Sequence, residues 1–224
     1  MIPLYHDFSD ETVLVFGGGT VGARKAARFA SESRVVVVSP AFDDRLCGAD
    51  APEIDRIRAA PSPDAVGGWL DRIDPVLVVA ATDRSDLNGT IETAARERGL
   101  LVNRTDRSGS REAGSVVVPA TIEEPPVSVA ISTGGQSPAL SRYLRQQLET
   151  ELENAGAMAE LTGALREELK TGPVSAADRR EAIRAVVRSQ AVWKALHTGT
   201  ANGRKEAERV MTELNMADDG GDRR

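Results

Sequence analysis

The sequence predicts an α/β protein: a parallel sheet covered by helices, followed by a smaller part that is mostly helical. Three observations predict it. Val13–Phe16 is an apolar run that enters a glycine-rich turn, Gly17–Gly22, and leaves it in an Ala-rich segment. Short apolar runs then alternate with helical patterns as far as Asn103. Beyond Asp106 the alternation stops: two extended segments follow with no room for a helix between them, and helical periodicity then takes over.

Each element has its own signal. Thr12–Phe16 reads as a strand and Val21–Ala30 as the helix behind the turn. Arg34–Ser39 is the second strand, and a weaker one lies near Ile54–Arg58, before a Pro/Gly-rich stretch at Pro61–Gly68. Pro75–Ala81 is apolar throughout, as in a strand buried on both faces of a parallel sheet. Ser85 or Asp86 is suited to cap a helix reaching Arg98, Gly99 to stop it, and Leu100–Asn103 to form the next strand. This order implies a doubly wound, Rossmann-like sheet.

Arg107–Gly114 is a polar loop. Ser115–Val118 and Val127–Ser132 are expected to pair as a hairpin through Glu123–Pro126, an element suited to dimerisation. Ser137-Pro138 is the favoured N-cap and N1 pair of a helix whose apolar face is Leu140, Leu144, Leu148 and Leu152. Thr171-Gly172-Pro173 is a break, and Ser175–Asp178 resembles a capping box. Ala176–Leu196 and Asn202–Leu214 are amphipathic. The expected division is a Rossmann domain over 1–113, a dimerisation segment over 114–150, a helical domain over 151–216 and a disordered tail over 217–224.

The turn Gly17-Gly18-Gly19-Thr20-Val21-Gly22 has Gly-x-Gly-x-x-Gly spacing between a legible strand and a legible helix, the fingerprint of a dinucleotide-binding unit. Gly17 permits the tight turn. Gly19 lets a pyrophosphate approach the backbone, and Gly22 lets the helix pack close to the strand. The acidic residue expected at the end of the second strand, to hold the adenosine ribose, is absent: Ser39-Pro40-Ala41 stands there, and the first acids are Asp43 and Asp44. Hydroxyl and backbone groups would have to replace the carboxylate. The choice between NAD and NADP is therefore open at this point; Arg45 could meet a 2′-phosphate, though its ordinary reading is a solvated side chain.

The 224 residues carry a net charge of −6, which argues against general nucleic-acid binding. Aromatic residues make up 4% of the chain, so Val, Leu, Ile and Ala must fill the core. Cys47 is the only cysteine, which excludes an intrachain disulfide, a thiolate zinc cluster and a four-cysteine iron–sulfur site. No signal peptide is evident, and no apolar run approaches the roughly 20 residues that span a bilayer. A soluble cytoplasmic protein is expected.

Candidate site residues collect at the C-terminal ends of the expected strands, where open α/β sheets bind ligands. After the glycine turn and Ser39 come Thr82-Asp83 with nearby Asn88, then Asn103-Arg104-Thr105-Asp106. Ser39, Thr82, Asp83 and Asn103 are candidate cofactor contacts, with helix capping the alternative for Thr82 and Asp83. Ser132–Ser137 precedes a helix and is a candidate anion cradle.

GGGTVGARKA, VVAATD, LNGTI, LVNRTD and VSVAISTGGQSPALSRYLRQQLE, in this order, resemble the precorrin-2 dehydrogenase family, the dehydrogenase/ferrochelatase module of siroheme synthesis. The resemblance covers about residues 1–150 and is most specific at Ile131–Leu140. It implies a homodimer with an NAD domain, a central dimerisation segment and C-terminal helices. It also implies oxidation of precorrin-2 to sirohydrochlorin with NAD as acceptor and, in some members, ferrous iron insertion. The family's catalytic aspartate falls on Asp106. Its cofactor contacts fall on Thr20 and Val21 and on Ala41 and Phe42, and a serine that some members phosphorylate is here Thr133. For a carboxylate-rich tetrapyrrole, the candidate substrate contacts are Thr133, Gly134, Gly135, Ser137 and Arg142, with Arg104, Arg107, Arg111 and Arg145 as further cations. No metal ligand is assigned. The chain departs from the family pattern in a longer Asp106–Pro119 segment and in Val116–Val118, where an aromatic residue commonly precedes the proline.

Two other readings stand beside this one: a non-enzymatic NAD-sensing module, and a chelatase without dehydrogenase activity. A short-chain dehydrogenase is excluded, because Tyr143 has Gln147 rather than Lys at the fourth position beyond it.

Overall fold

Thr12–Gly18 forms β1, the centre of the first unit, and its Val13, Leu14, Val15 and Phe16 are all fully buried. Burial of consecutive residues requires cover on both faces of the sheet, and the side chains divide with the two-residue period of a strand. Leu14 and Phe16 pack with Val36, Val38, Val78, Leu87 and Ile91, while Val13 and Val15 pack with Val35, Val37, Val79, Ala23 and Ala26. The computed structural model describes residues 3–48, 51–107 and 115–221.

The other strands are β2 (Arg34–Phe42), β3 (Asp55–Arg58), β4 (Leu77–Ala80) and β5 (Leu101–Arg104), ordered β3-β2-β1-β4-β5 and all parallel. Helix α1 (Thr20–Phe29) covers one face through Ala23 and Ala26; α2 (Val66–Ile73) and α3 (Ser85–Glu97) cover the other through Val66, Leu70, Leu87, Ile91 and Ala95. The chain moves outward from β1 to β3 and returns to the other side of β1 with β4. The crevice at the carboxyl ends of β1 and β4 is thus the topological switch point, where such sheets bind ligands.

A second compact unit comprises residues 119–133 and 137–224, while residues 1–118 and 134–136 belong to the first. Strands β6 (Ala120–Glu124) and β7 (Val127–Ile131) form an antiparallel hairpin. Helices α4 (Pro138–Glu151), α5 (Ala155–Thr171), α6 (Ala176–Arg188), α7 (Gln190–Leu196) and α8 (Thr200–Gly221) follow. Met158, Leu165, Val186, Val192, Leu196 and Ala207 form the helical core.

The α/β reading stands, and three local expectations are corrected. The first hairpin strand is Ala120–Glu124, not Ser115–Val118. Ser115 instead bridges in parallel to Val102, and the Val116 N–H donates to the Val102 carbonyl at 2.9 Å, so this segment adds to the edge of β5. Ser85 and Asp86 do not cap α3; Arg84 is its N-cap, and the Ser85 hydroxyl accepts from Arg104 at 3.1 Å. Helix α8 runs to Gly221, through much of the expected disordered tail, while residues 222–224 lie outside the described residues. Extending a helix already anchored by packing adds one hydrogen bond for each residue fixed. The caps at Ser137 and Ser175 form as expected, accepting from the Leu140 and Asp178 N–H groups at 3.2 Å each.

Candidate active site

The glycine turn closes the switch point. Gly17 has φ +106°, and a β-carbon there would stand 2.4 Å from the Ala81 carbonyl oxygen at the end of β4. A β-carbon on Gly22 would stand 1.8 Å from the Gly17 oxygen, so α1 meets β1 at a distance only glycine permits. Gly19 differs: a β-carbon there would have nothing within 4 Å. It is the exposed N-cap of α1, without a side-chain cap bond, and the first turn holds no acid. The leading N–H groups of α1, at Thr20, Val21 and Gly22, thus have no side-chain cap and lie at the positive end of a helix dipole, next to the open space at Gly19. That combination fits a dinucleotide pyrophosphate.

Gly18 matters too, although the spacing rule treats it as variable. Its β-carbon would fall 2.6 Å from the Ala41 oxygen and 2.9 Å from the Phe42 ring. This close approach brings Ala41, Phe42 and the buried Ser39 to the turn. Asp43 follows immediately. Its N–H donates to the Gly18 carbonyl at 2.8 Å, and its carboxylate accepts from the Thr20 hydroxyl at 3.0 Å. The Arg45 backbone N–H, and then the Thr20 hydroxyl, hold the Asp43 carboxyl below the usual carboxylate range. A carboxylate is thus present beside the glycine turn where the spacing found none. β2 extends three residues past Ser39, with a register irregularity opposite Phe16/Gly18.

On the β4 side, fully buried Asn88 holds Thr82 in place. Its Oδ1 accepts from the Thr82 N–H at 3.1 Å and the Thr82 hydroxyl at 2.7 Å, and its Nδ2 donates to the Thr82 carbonyl at 2.9 Å. Asp83 is exposed. At the end of β5, Asn103 donates to the Val116 carbonyl at 2.8 Å, while its buried Oδ1 has no partner among the described residues.

Asp106 is gripped by Arg104. Arg104 Nε donates to Asp106 Oδ1 at 2.7 Å and Nη2 to Oδ2 at 3.0 Å. This two-point contact, then the Ser85 and Asn88 side chains, hold the Asp106 carboxyl well below the ordinary range, against the opposing effect of burial. Arg104 also reaches Glu92 Oε2 at 3.1 Å and the Ser85 carbonyl at 3.0 Å. It is 7% exposed, and all three of its nitrogens are engaged, so it is corrected from a substrate-carboxylate candidate to an internal clamp. Arg107 has a 60% exposed side chain and stands 3.8 Å from Glu92. Arg111 lies outside the described residues.

In the second unit the Thr133 hydroxyl donates to the Ser137 carbonyl at 3.0 Å, accepts from the Ser137 N–H at 3.2 Å and lies 3.1 Å from the Ser141 hydroxyl. Gly134 and Gly135, which belong to the first unit, have φ +63° and +81° and are exposed; Arg142 in the second unit is exposed too. Arg145 pairs with Glu149. Among the described residues no three His, Cys, Asp or Glu side chains cluster as metal ligands, and no helix is long and apolar enough to cross a membrane.

Residues 4–120 match the family described as "Putative NAD(P)-binding", and residues 126–151 match "Sirohaem biosynthesis protein central". The chain is 33% identical over 199 residues to Precorrin-2 dehydrogenase of Methanosarcina barkeri, covering 86% of this chain and 85% of that one. It belongs to the precorrin-2 dehydrogenase family. Family similarity extends to Siroheme synthase 1 of Aeromonas salmonicida, 33% identical over 217 residues, which cover 95% of this chain and 44% of that protein. The chain thus spans under half the length of the siroheme synthases it matches. The solved structure of SirC, precorrin-2 dehydrogenase, shares the fold at TM-score 0.70 and 21% identity, over 95% of this chain and 100% of that one.

Two outcomes follow for this family member. Gly19→Asp adds bulk and charge at the open end of α1 without a steric clash, so NAD affinity by calorimetry should fall while the melting temperature holds. Gly22→Ala should lower the melting temperature as well. The second outcome concerns acid. The folded state binds a proton on Asp106 less readily than the unfolded chain, so the Arg104 pair stabilises the fold fully above about pH 4 and loses that contribution as pH falls further. In urea melts, the stability gap between the parent and Asp106→Asn should therefore narrow from neutral pH to below about pH 4.

Proposed function

We propose that this chain is a cytoplasmic, homodimeric dehydrogenase that oxidises precorrin-2 to sirohydrochlorin with NAD. The observation that carries the reading is the link from the cofactor crevice to a fixed anion. Thr82 at the switch point is bound to Asn88 on α3, and Arg104 joins Ser85, at the start of the same helix, to Asp106. The balance is precorrin-2 + NAD⁺ → sirohydrochlorin + NADH + H⁺. Bound NAD supplies the hydride acceptor. The Thr20, Val21 and Gly22 N–H groups would hold its pyrophosphate, and Ser39, Ala41 and Phe42 would border the adenosine. Thr82, Asp83 and Asn103 would serve the nicotinamide side. Asp106, ionised at neutral pH, stabilises the positive charge that develops on the tetrapyrrole as hydride departs. It takes the proton shed by that cation and passes it to water, since its own affinity for a proton is low. The exposed Arg107 of the first unit and the exposed Arg142 of the second are each a candidate cation for the substrate carboxylates. A single cysteine suits a reducing compartment.

A second copy is supported by α4, which leaves Leu140 47%, Tyr143 55%, Leu144 37% and Leu148 36% exposed along one face. Leu144→Glu should convert a dimeric mass to a monomeric one by light scattering. A parent protein that is monomeric at micromolar concentration and physiological salt would remove the dimer from the proposal.

Freshly prepared precorrin-2 and NAD, without added metal, should yield NADH in stoichiometric step with sirohydrochlorin. Asp106→Asn should lower that rate by roughly 10²–10⁴ while NAD binding persists. Because Asp106 is ionised throughout, the parent rate should show no acid limb from this residue above about pH 5. Sirohydrochlorin with ferrous iron in a parallel arm reads iron insertion separately. A parent protein that forms no NADH overturns the dehydrogenase reading.

A further inference from the structure

We propose that Glu92 is a positioning residue for the oxidation: acting through Arg104, it fixes the orientation of the Asp106 carboxylate. The proposal rests on the reading of Asp106 given above. Glu92 lies on α3 and is 8% exposed. Its Oε1 accepts from Arg96 Nη2 at 2.7 Å, and its Oε2 accepts from Arg104 Nη1 at 3.1 Å. The remaining face of the Arg104 guanidinium is committed to Asp106 and to the carbonyl and hydroxyl of Ser85. A guanidinium is planar, and so is a carboxylate. When both Asp106 oxygens meet one guanidinium edge, fixing the guanidinium plane fixes the carboxylate plane. Glu92 anchors the nitrogen that Asp106 leaves free.

The arrangement also settles the use of charge. Arg104 stands nearer to Asp106 than any other cation, and unanchored it would be free to swing toward the substrate's carboxylates. With Glu92 behind it, the guanidinium is saturated inside the fold, and Asp106 keeps its negative charge facing outward with a 25% exposed side chain. Arg96 and Arg107 face Glu92 as well, so the buried carboxylate is balanced from α3 itself and from the segment after β5. A purely structural role, tying α3 to β5, would affect melting; a positioning role must affect turnover through Asp106.

The experiment is a double-mutant cycle on the full chain with precorrin-2 and NAD. Glu92→Gln keeps the side chain's size and one acceptor. Its kcat should fall on the order of tenfold to a hundredfold, as for a reacting group displaced by up to an ångström, with KM for NAD unchanged. In the Asp106→Asn background the same substitution should change kcat by less than about twofold, because the residue it positions is gone. Arg104→Lys is the second variant, for the case that Glu92→Gln does not fold. It keeps the charge and loses the two-point contact, and it should show the same fall and the same loss of effect without Asp106. Turnover that Glu92→Gln and Arg104→Lys leave at the parent level overturns the proposal, as do effects that persist undiminished in the Asp106→Asn background. An Asp106→Asn enzyme with the parent rate overturns instead the reading on which the proposal rests.

Discussion

A β-carbon at residue 22 would have to occupy nearly the same space as the carbonyl oxygen of residue 17, at 1.8 Å. That one distance sets how closely α1 approaches β1, and much of the crevice follows from it. Gly17 in turn stands against the Ala81 carbonyl, so the turn after β1 and the turn after β4 share a wall. With the two turns in contact, the free N–H groups of α1 and the Thr82 loop open onto the same switch point. The absence of a first-turn acid and of a side-chain cap on α1 completes the arrangement. A residue that satisfied those donors internally would remove the reason for an anion to bind there.

The other side of the site is built on the opposite principle. The crevice is lined by uncommitted backbone donors, whereas the ends of α3 and β5 carry Glu92, Arg96, Arg104, Asp106 and Arg107 in close mutual pairing. Burying such charges is expensive unless each meets a partner, and losing one partner exposes the full cost of the others. The cluster avoids that cost because Arg104 bridges two carboxylates and Glu92 bridges Arg104 and Arg96. The Asp106 charge is therefore a permanent feature of the fold, not one that comes and goes near neutral pH.

The sheet was legible because its cause is local. Val13–Phe16, Val35–Val38 and Leu77–Ala80 are apolar without interruption, and the turn chemistry between them stands in the chain itself. Gly17, Gly19 and Gly22 follow from spacing, but Gly18 and Asp43 do not, since both depend on β2 continuing past Ser39 to Phe42. The pairing of Arg104 with Glu92 joins residues 12 apart on a helix and a strand, and no periodicity announces it. The alternation of Arg104 with Asn103 along β5, which sends them to opposite faces, was the one available signal. Val116–Val118 misled for a related reason. Three valines have high strand propensity, yet the first of them joins the edge of β5, and Pro119 stands before the true hairpin strand.

What the fold leaves uncovered is as specific as what it buries. Val21, an apolar side chain on the glycine turn, is 41% exposed in a helix that hides Ala23 and Ala26. On α4 the Leu140, Leu144 and Leu148 stripe that the sequence presents as a core-facing face is not buried within the chain, and Tyr143 extends it. A single exposed apolar residue is ordinary, but a row at helical spacing costs solubility unless something covers it. A row of leucines in that register asks for a large, flat, apolar partner. The Thr133 hydroxyl, by contrast, is spent inside the fold on the Ser137 carbonyl, while Arg142 keeps its charge exposed. The hairpin–helix unit thus leaves two chemically different features exposed, the apolar face of α4 and the Arg142 cation beside it in sequence.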